Sequence, residues 1–164
     1  MIRVTARPLR AETPASTANK HMPTIFRTMK RANDGLRVVG SNAKELGVRC
    51  PPNPNADIEL DTNDCVVLNG KGLSVAANWR YFLAHLIPKR LKPLFPGAAG
   101  SNTLACYRTG TGVFAAGPLS NALSVVLKSG NPRAGNIVPN QGVHRDQFQA
   151  DLAATRNQWT VDET

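Results

Sequence analysis

The sequence lacks acidic side chains over about half of its 164 residues, since no aspartate or glutamate lies between Asp64 and Asp146. A mechanism that needs a carboxylate must therefore take it from the first 64 or the last 19 residues. The chain as a whole has a net charge of +9. A folded surface that carries charge of one sign attracts ions of the opposite sign. The acid-free stretch therefore predicts phosphate binding. Its nine cations are Lys71, Arg80, Lys89, Arg90, Lys92, Arg108, Lys128, Arg133 and Arg145.

Cysteine and histidine are scarce and scattered. No C-x-x-C or H-x-x-x-H pair occurs, which argues against a disulfide framework and a zinc site; the residues are Cys50, Cys65, Cys106, His21, His85 and His144. We therefore predict no metal ligands and a reducing, cytoplasmic location. The apolar runs are far shorter than the roughly 20 residues that cross a bilayer, so we expect no membrane partner.

The chain begins with a segment that differs in composition from the rest. Residues 1–22 are rich in arginine, serine, threonine and alanine and contain one acid, Glu12. This composition superficially resembles an organelle transit peptide, but a flexible N-terminal tail is the simpler interpretation. With 41% hydrophobic residues, the remaining residues 23–164 are sufficient for one domain with its own core.

The pattern of apolar residues predicts an α+β domain. Apolar residues that recur every three or four positions predict a terminal helix, with Phe148, Leu152, Thr155 and Trp159 on its buried face. We also expect a helical turn over 41–46 and a loop over 130–135. Alternating residues predict short strands over 24–29, 36–39, 65–68, 73–76, 103–108, 123–127 and 136–139.

Two further segments contain residues that suit ligand binding. In Gly70–Ser74 a lysine stands between two glycines, which allows a phosphate to approach the backbone, although the spacing is not that of a P-loop. A tight turn between strands is the simpler interpretation. The acids of 57–64 could bind a cation, but they lack the EF-hand pattern, and a solvated acidic loop is the better interpretation.

Four short motifs occur in the order seen in one toxin family. They are Ile-Phe-Arg at 25–27, Gly-Leu-Ser-Val at 72–75, Ile-Val-Pro at 137–139, and Leu-Ala-Ala-Thr-Arg-Asn-Gln-Trp at 152–159. Together they resemble the type VI secretion effector toxins of the Tse group that have an ADP-ribosyltransferase-like fold. The resemblance spans about residues 23–162, and its C-terminal motif is the most specific.

This resemblance implies an ADP-ribosyltransferase-like split β-sandwich with a C-terminal helix and a cleft for NAD. It also implies a cytotoxic transferase that acts in the cytosol of a target cell. A neutralising immunity protein would protect the producing cell, and an acidic one would complement the charge of +9. The resemblance does not identify the macromolecule that accepts the ADP-ribosyl group.

The resemblance also assigns site residues. Arg27 would bind the cofactor's phosphate and ribose, and Ser74 would be the catalytic hydroxyl. Transferases of this fold carry a catalytic glutamate on a late strand, whereas this chain has no acid there and offers Asn136, which can only hydrogen-bond. The cofactor would also contact the strand that carries Ser74, through Gly72 and Leu73. An aromatic side chain would pack on nicotinamide, and the candidates are Trp79, Tyr81 and Phe82.

A second function is compatible with the same residues. The acid-free stretch interleaves cations with aromatic side chains on which bases can stack, namely Trp79, Tyr81, Phe82 and Tyr107. The alternative is therefore a basic nucleic-acid-binding or ribonuclease-like toxin that blocks translation. The two functions are compatible, because a transferase can modify a nucleic acid.

Overall fold

A computed structural model describes residues 21–164, so all but the last two residues of the predicted N-terminal tail lie outside it. The α+β class is confirmed: an antiparallel seven-stranded sheet is accompanied by one short C-terminal helix. The elements are β1 (Ile25–Lys30), β2 (Leu73–Ala76), β3 (Leu104–Thr109), β4 (Gly117–Pro118), β5 (Leu123–Lys128), β6 (Asn131–Pro139), α1 (Arg145–Ala154) and β7 (Thr160–Val161).

The alternating segments of the sequence form the central strands, with ends shifted by a residue or two. The predicted loop over 130–135 is wrong, because β6 begins at Asn131 and continues through it. The expected helical turn over 41–46 and the strands over 36–39 and 65–68 are also absent. Isolated bridges take their place, such as Val39 with Leu46 and Leu60 with Val66.

The sheet has the order β4-β5-β6-β2-β1-β3-β7, and its continuity is weakest in the middle. Strands β1 and β2 pair at one position, Phe26 with Ala76, whereas β1 and β3 pair over six positions. Beyond Phe26 and Ala76 the two strands do not continue as a ladder. The sheet therefore consists of two halves that separate between β1 and β2.

Each face of the sheet is covered by a different set of residues. On one face α1 packs through Phe148 and Leu152 against a large core that includes Leu73 and Ile137. On the other face the irregular segment 79–98 covers β1 and β3 through a smaller cluster that includes Trp79 and Ile87. No helix among residues 21–164 is long and apolar enough to cross a membrane.

The predicted terminal helix is confirmed over Arg145–Ala154, where Phe148 and Leu152 are buried. The prediction is wrong for Thr155 and Trp159, which are buried but lie beyond the end of the helix. The imidazole of His144 caps it by accepting a hydrogen bond from the backbone N–H of Asp146 at 3.3 Å. Beyond its end, the Thr155 hydroxyl donates to the Leu152 carbonyl at 2.7 Å and accepts from the Trp159 indole at 3.0 Å. The C-terminal motif at 152–159 therefore anchors the segment that follows α1 to the core.

Candidate functional site

Two of the predicted catalytic residues, Ser74 and Asn136, stand directly opposite each other on β2 and β6. The Ser74 Oγ lies 3.4 Å from the Asn136 Oδ1, and the Asn136 Nδ2 donates to the Gly70 carbonyl at 2.8 Å. Their strand neighbours Leu73 and Ile137 belong to the large core, so alternation turns the pair to the other face. Both residues are half-buried, which leaves them accessible to a ligand.

A small apolar slot adjoins this pair on the same face of the sheet. Val126 pairs with Asn136 across β5 and β6, and Val138 lies two residues further along β6. The loop that contains Gly70 forms the opposite wall. The slot has a volume of about 190 Å³ and is lined by Val67, Leu68, Gly70, Lys71, Val126, Val138 and Pro139. Apolar walls with a few polar groups are typical of small-molecule sites, but such pockets measure roughly 300–1,000 Å³, so this slot has room for one ring of a ligand and not for a whole dinucleotide.

Gly72 and Leu73 lie beneath the pair and fix the position of β2. A Cβ atom at Gly72 would stand 2.1 Å from the Ile137 carbonyl oxygen, so only glycine lets the two backbones approach this closely. The side chain of Leu73 is wholly buried in the large core. Of these two predicted cofactor-binding residues, neither offers a side chain to the slot.

Arg27, the third predicted catalytic residue, lies on the large-core face of β1 with Ile25 and Met29, opposite the face of the Ser74 and Asn136 side chains, and contacts β2 through its backbone. Its Nη1 donates to the Ser74 carbonyl at 2.7 Å, and its Nη2 donates to the carbonyls of Ala43 and Glu45 at 2.8 and 3.3 Å. The residue is 7% exposed. Burial lowers the pKa of its guanidinium to about 10, against the opposing charge of Asp57. Arg27 therefore touches the site through the backbone of Ser74.

The three candidate aromatic residues differ in exposure. Trp79 is fully buried in the smaller cluster, where its indole donates to the Thr164 carbonyl at 3.2 Å. Phe82 packs partly buried against that cluster. Tyr81 is 49% exposed, and the Arg133 guanidinium lies 4.8 Å from its ring centroid. Of the three, Tyr81 is the one with a ring available to a flat ligand.

The carboxylate at the slot comes from Glu59, a residue that sequence reasoning assigned to a solvated acidic loop. Its side chain pairs with Lys71, which lines the slot. The backbone also joins the two segments, because the Val67 N–H donates to the Glu59 carbonyl at 3.0 Å. The hydrogen bond from Lys71 holds the pKa of Glu59 below its ordinary value. The position of the acidic cluster just before the Gly-Lys-Gly segment was the available signal.

The acid-free stretch is less isolated than its sequence indicates, because acids from outside it fold against four of its nine cations. Lys71 pairs with Glu59 and Arg145 with Asp64, while two residues near the C-terminus neutralise Arg90 and Arg108. Among residues 21–164, five cations of the stretch have no carboxylate partner: Arg80, Lys89, Lys92, Lys128 and Arg133.

Comparison of the chain with protein-family models, curated proteins and solved structures finds no match. Within the described residues, no three histidine, cysteine, aspartate or glutamate side chains converge to hold a metal ion.

Proposed function

We propose that this chain is an ADP-ribosyltransferase-like toxin that binds NAD at the slot beside Ser74 and Asn136. The observation that carries the proposal is the convergence of three residues distant in sequence. Ser74 and Asn136 face each other, and Arg27 holds the carbonyl of Ser74. The separation of the sheet between β1 and β2 is in keeping with a split β-sandwich.

The residues present suit the two ends of the cofactor differently. The Ser74 hydroxyl and the Asn136 carboxamide offer a donor and an acceptor for ribose or a ring amide. The apolar slot suits an aromatic ring, and Lys71 at its edge offers a cation to phosphate. Bound NAD supplies a ribosyl carbon with nicotinamide as its leaving group. Arg27 acts in this proposal by positioning Ser74, since its donors already serve backbone carbonyls.

In this proposal Glu59 supplies the carboxylate that β6 lacks. It is ionised at neutral pH, and its partner Lys71 lines the slot. With NAD bound, a carboxylate beside the slot would stabilise positive charge on the ribose. Because Glu59 belongs to a loop and is half-exposed, its carboxylate can turn between Lys71 and a ligand.

The test compares NAD binding by calorimetry and NAD turnover in variants of matched chemistry. Ser74→Ala should weaken both, whereas Ser124→Ala should change neither. Ser124 is the matched control because its hydroxyl also donates to an asparagine Oδ1, that of Asn140, and it does not line the slot, although it pairs with Val138 of the slot wall. Glu59→Gln should lower turnover more than affinity. Equal effects of the two serine variants, or absence of NAD binding by folded wild-type protein, would overturn the proposal.

The toxic action is tested separately by inducing the protein in the bacterial cytosol. Growth should slow with the wild type and recover with Ser74→Ala, while Ser124→Ala remains toxic at the same protein level. An acidic immunity protein is the expected partner in a producing cell, because it would complement the cations of the chain. Growth inhibition that is identical in all three proteins would separate toxicity from the slot.

A further inference from the structure

Four residues form a basic and aromatic surface, here named the hairpin patch, at the end of the sheet where β5 turns into β6. The Arg133 guanidinium stacks on the ring of Tyr81 at 4.8 Å. The backbones are joined as well, since the Ala77 N–H donates to the Arg133 carbonyl at 2.9 Å. Lys128 stands across the hairpin, where it pairs with Asn131. The patch consists of Arg80, Tyr81, Lys128 and Arg133.

The charge of this patch is available to a partner. Lys128 and Arg133 are exposed, and neither pairs with a carboxylate among residues 21–164. Arg80 stacks on Trp79 at 4.3 Å and donates to the backbone oxygen of Thr164 at 3.1 Å, so its guanidinium is held in place. The exposed ring of Tyr81 thus has one cation stacked on it, Arg133, a second beside it in the chain, Arg80, and a third, Lys128, at the end of the same hairpin as Arg133.

We propose that the hairpin patch binds single-stranded nucleic acid. Cations that follow a phosphate backbone, together with an aromatic ring for the bases, are the combination found in proteins that bind single strands without sequence preference. An acidic protein surface would use the same cations but gains little from the ring of Tyr81. The nucleic acid is thus the partner that uses all four residues.

The patch lies close to the proposed slot. Arg133 and Asn136 are three residues apart on β6, which corresponds to about 10 Å along a strand, and alternation places their side chains on opposite faces. Nucleic acid bound at the patch therefore has to pass around this end of the sheet to present a nucleotide to the slot. The inference that the bound nucleic acid accepts the ADP-ribosyl group rests on the proposed function. Binding of nucleic acid at the patch does not require NAD and is measured without it.

The experiment measures fluorescence anisotropy of a labelled ten-nucleotide single-stranded RNA of mixed sequence. Three neutralised phosphates predict a log–log salt slope of about −2, so affinity should fall about 20-fold between 50 and 200 mM salt. The variant Lys128→Ala/Arg133→Ala should reduce the slope to about −0.7. Its control, Lys89→Ala/Lys92→Ala, removes the same charge at two exposed cations of another segment and should keep the wild-type slope.

The ring is tested by two substitutions at one position. Tyr81→Leu should weaken RNA binding about tenfold, and Tyr81→Phe should restore it. Poly-L-glutamate of equal charge should compete poorly with the RNA. Three outcomes would each overturn the proposal and favour a surface for acidic proteins or for any polyanion. They are equal losses in the two double variants, equal binding by Tyr81→Leu and Tyr81→Phe, and effective competition by polyglutamate.

Discussion

The burial of Arg27 leads to a prediction that separates a structural role from a direct one. Arg27→Met removes the guanidinium and keeps an unbranched side chain of similar length. Three carbonyls then lose a charged donor, and such bonds contribute about 1.5–3 kcal/mol each. The cost of burying the cation opposes them, since a pKa depressed to about 10 corresponds to about 3 kcal/mol. The difference predicts a loss of roughly 2–6 kcal/mol of unfolding free energy.

The assay is urea unfolding at pH 7, followed by circular dichroism and accompanied by NAD calorimetry on the folded variant. Arg133→Met is the control, because it makes the same change at an exposed cation–π pair and should cost under about 1 kcal/mol. A change below 1 kcal/mol for Arg27→Met would refute the view that this guanidinium holds the two halves of the sheet together. If that variant kept its stability and lost NAD binding, Arg27 would contact the cofactor directly.

Two further predictions concern stability. Gly72→Ala should lower unfolding free energy by about 1–3 kcal/mol or more, because its Cβ meets the neighbouring strand's backbone, whereas Gly142→Ala has ordinary contacts and should cost little in the same urea assay. Burial raises the pKa of Glu45, but hydrogen bonds from Asn42 and Lys30 outweigh it and leave the pKa below its ordinary value. Thermal unfolding should therefore show stability lost below about pH 4.3, with a shallower pH dependence for Glu45→Gln; identical pH profiles would contradict this.

The strands and the helix with regular patterns were predictable from local sequence, whereas half of β6 was not. Asn131, Pro132 and Gly135 are residues typical of loops. They form strand because β5 pairs with Asn131 and Gly135 after the turn at Gly130. Pro132 lies beyond the four residues of β6 that pair with β2, so its missing N–H interrupts no bond between those strands. Tertiary pairing here overrides the local preference.

The candidate site was predictable in part for the same reason. The segments that carry Ser74 and Asn136 were predicted as strands from their alternation, but no local pattern predicted that these two strands pair. The burial of Arg27 depends on carbonyls of residues 43, 45 and 74, which no local pattern brings together. Glu59 reaches Lys71 across twelve residues of irregular chain, and its position depends on how that loop folds.

The ion pairs of the folded chain show which of its cations remain without a carboxylate partner among residues 21–164. Acids on either side of the acid-free stretch neutralise Lys71, Arg90, Arg108 and Arg145, so net charge alone overstates the cationic surface. Two of the remaining cations, Lys128 and Arg133, stand at one end of the same strand pair whose middle carries the Ser74–Asn136 site. A surface arranged in this way attracts anions toward the slot while a carboxylate, Glu59, stays beside it. In the proposed function, anion capture and chemistry take place on adjacent parts of one sheet, so a salt-dependent binding step should precede any step that depends on Glu59.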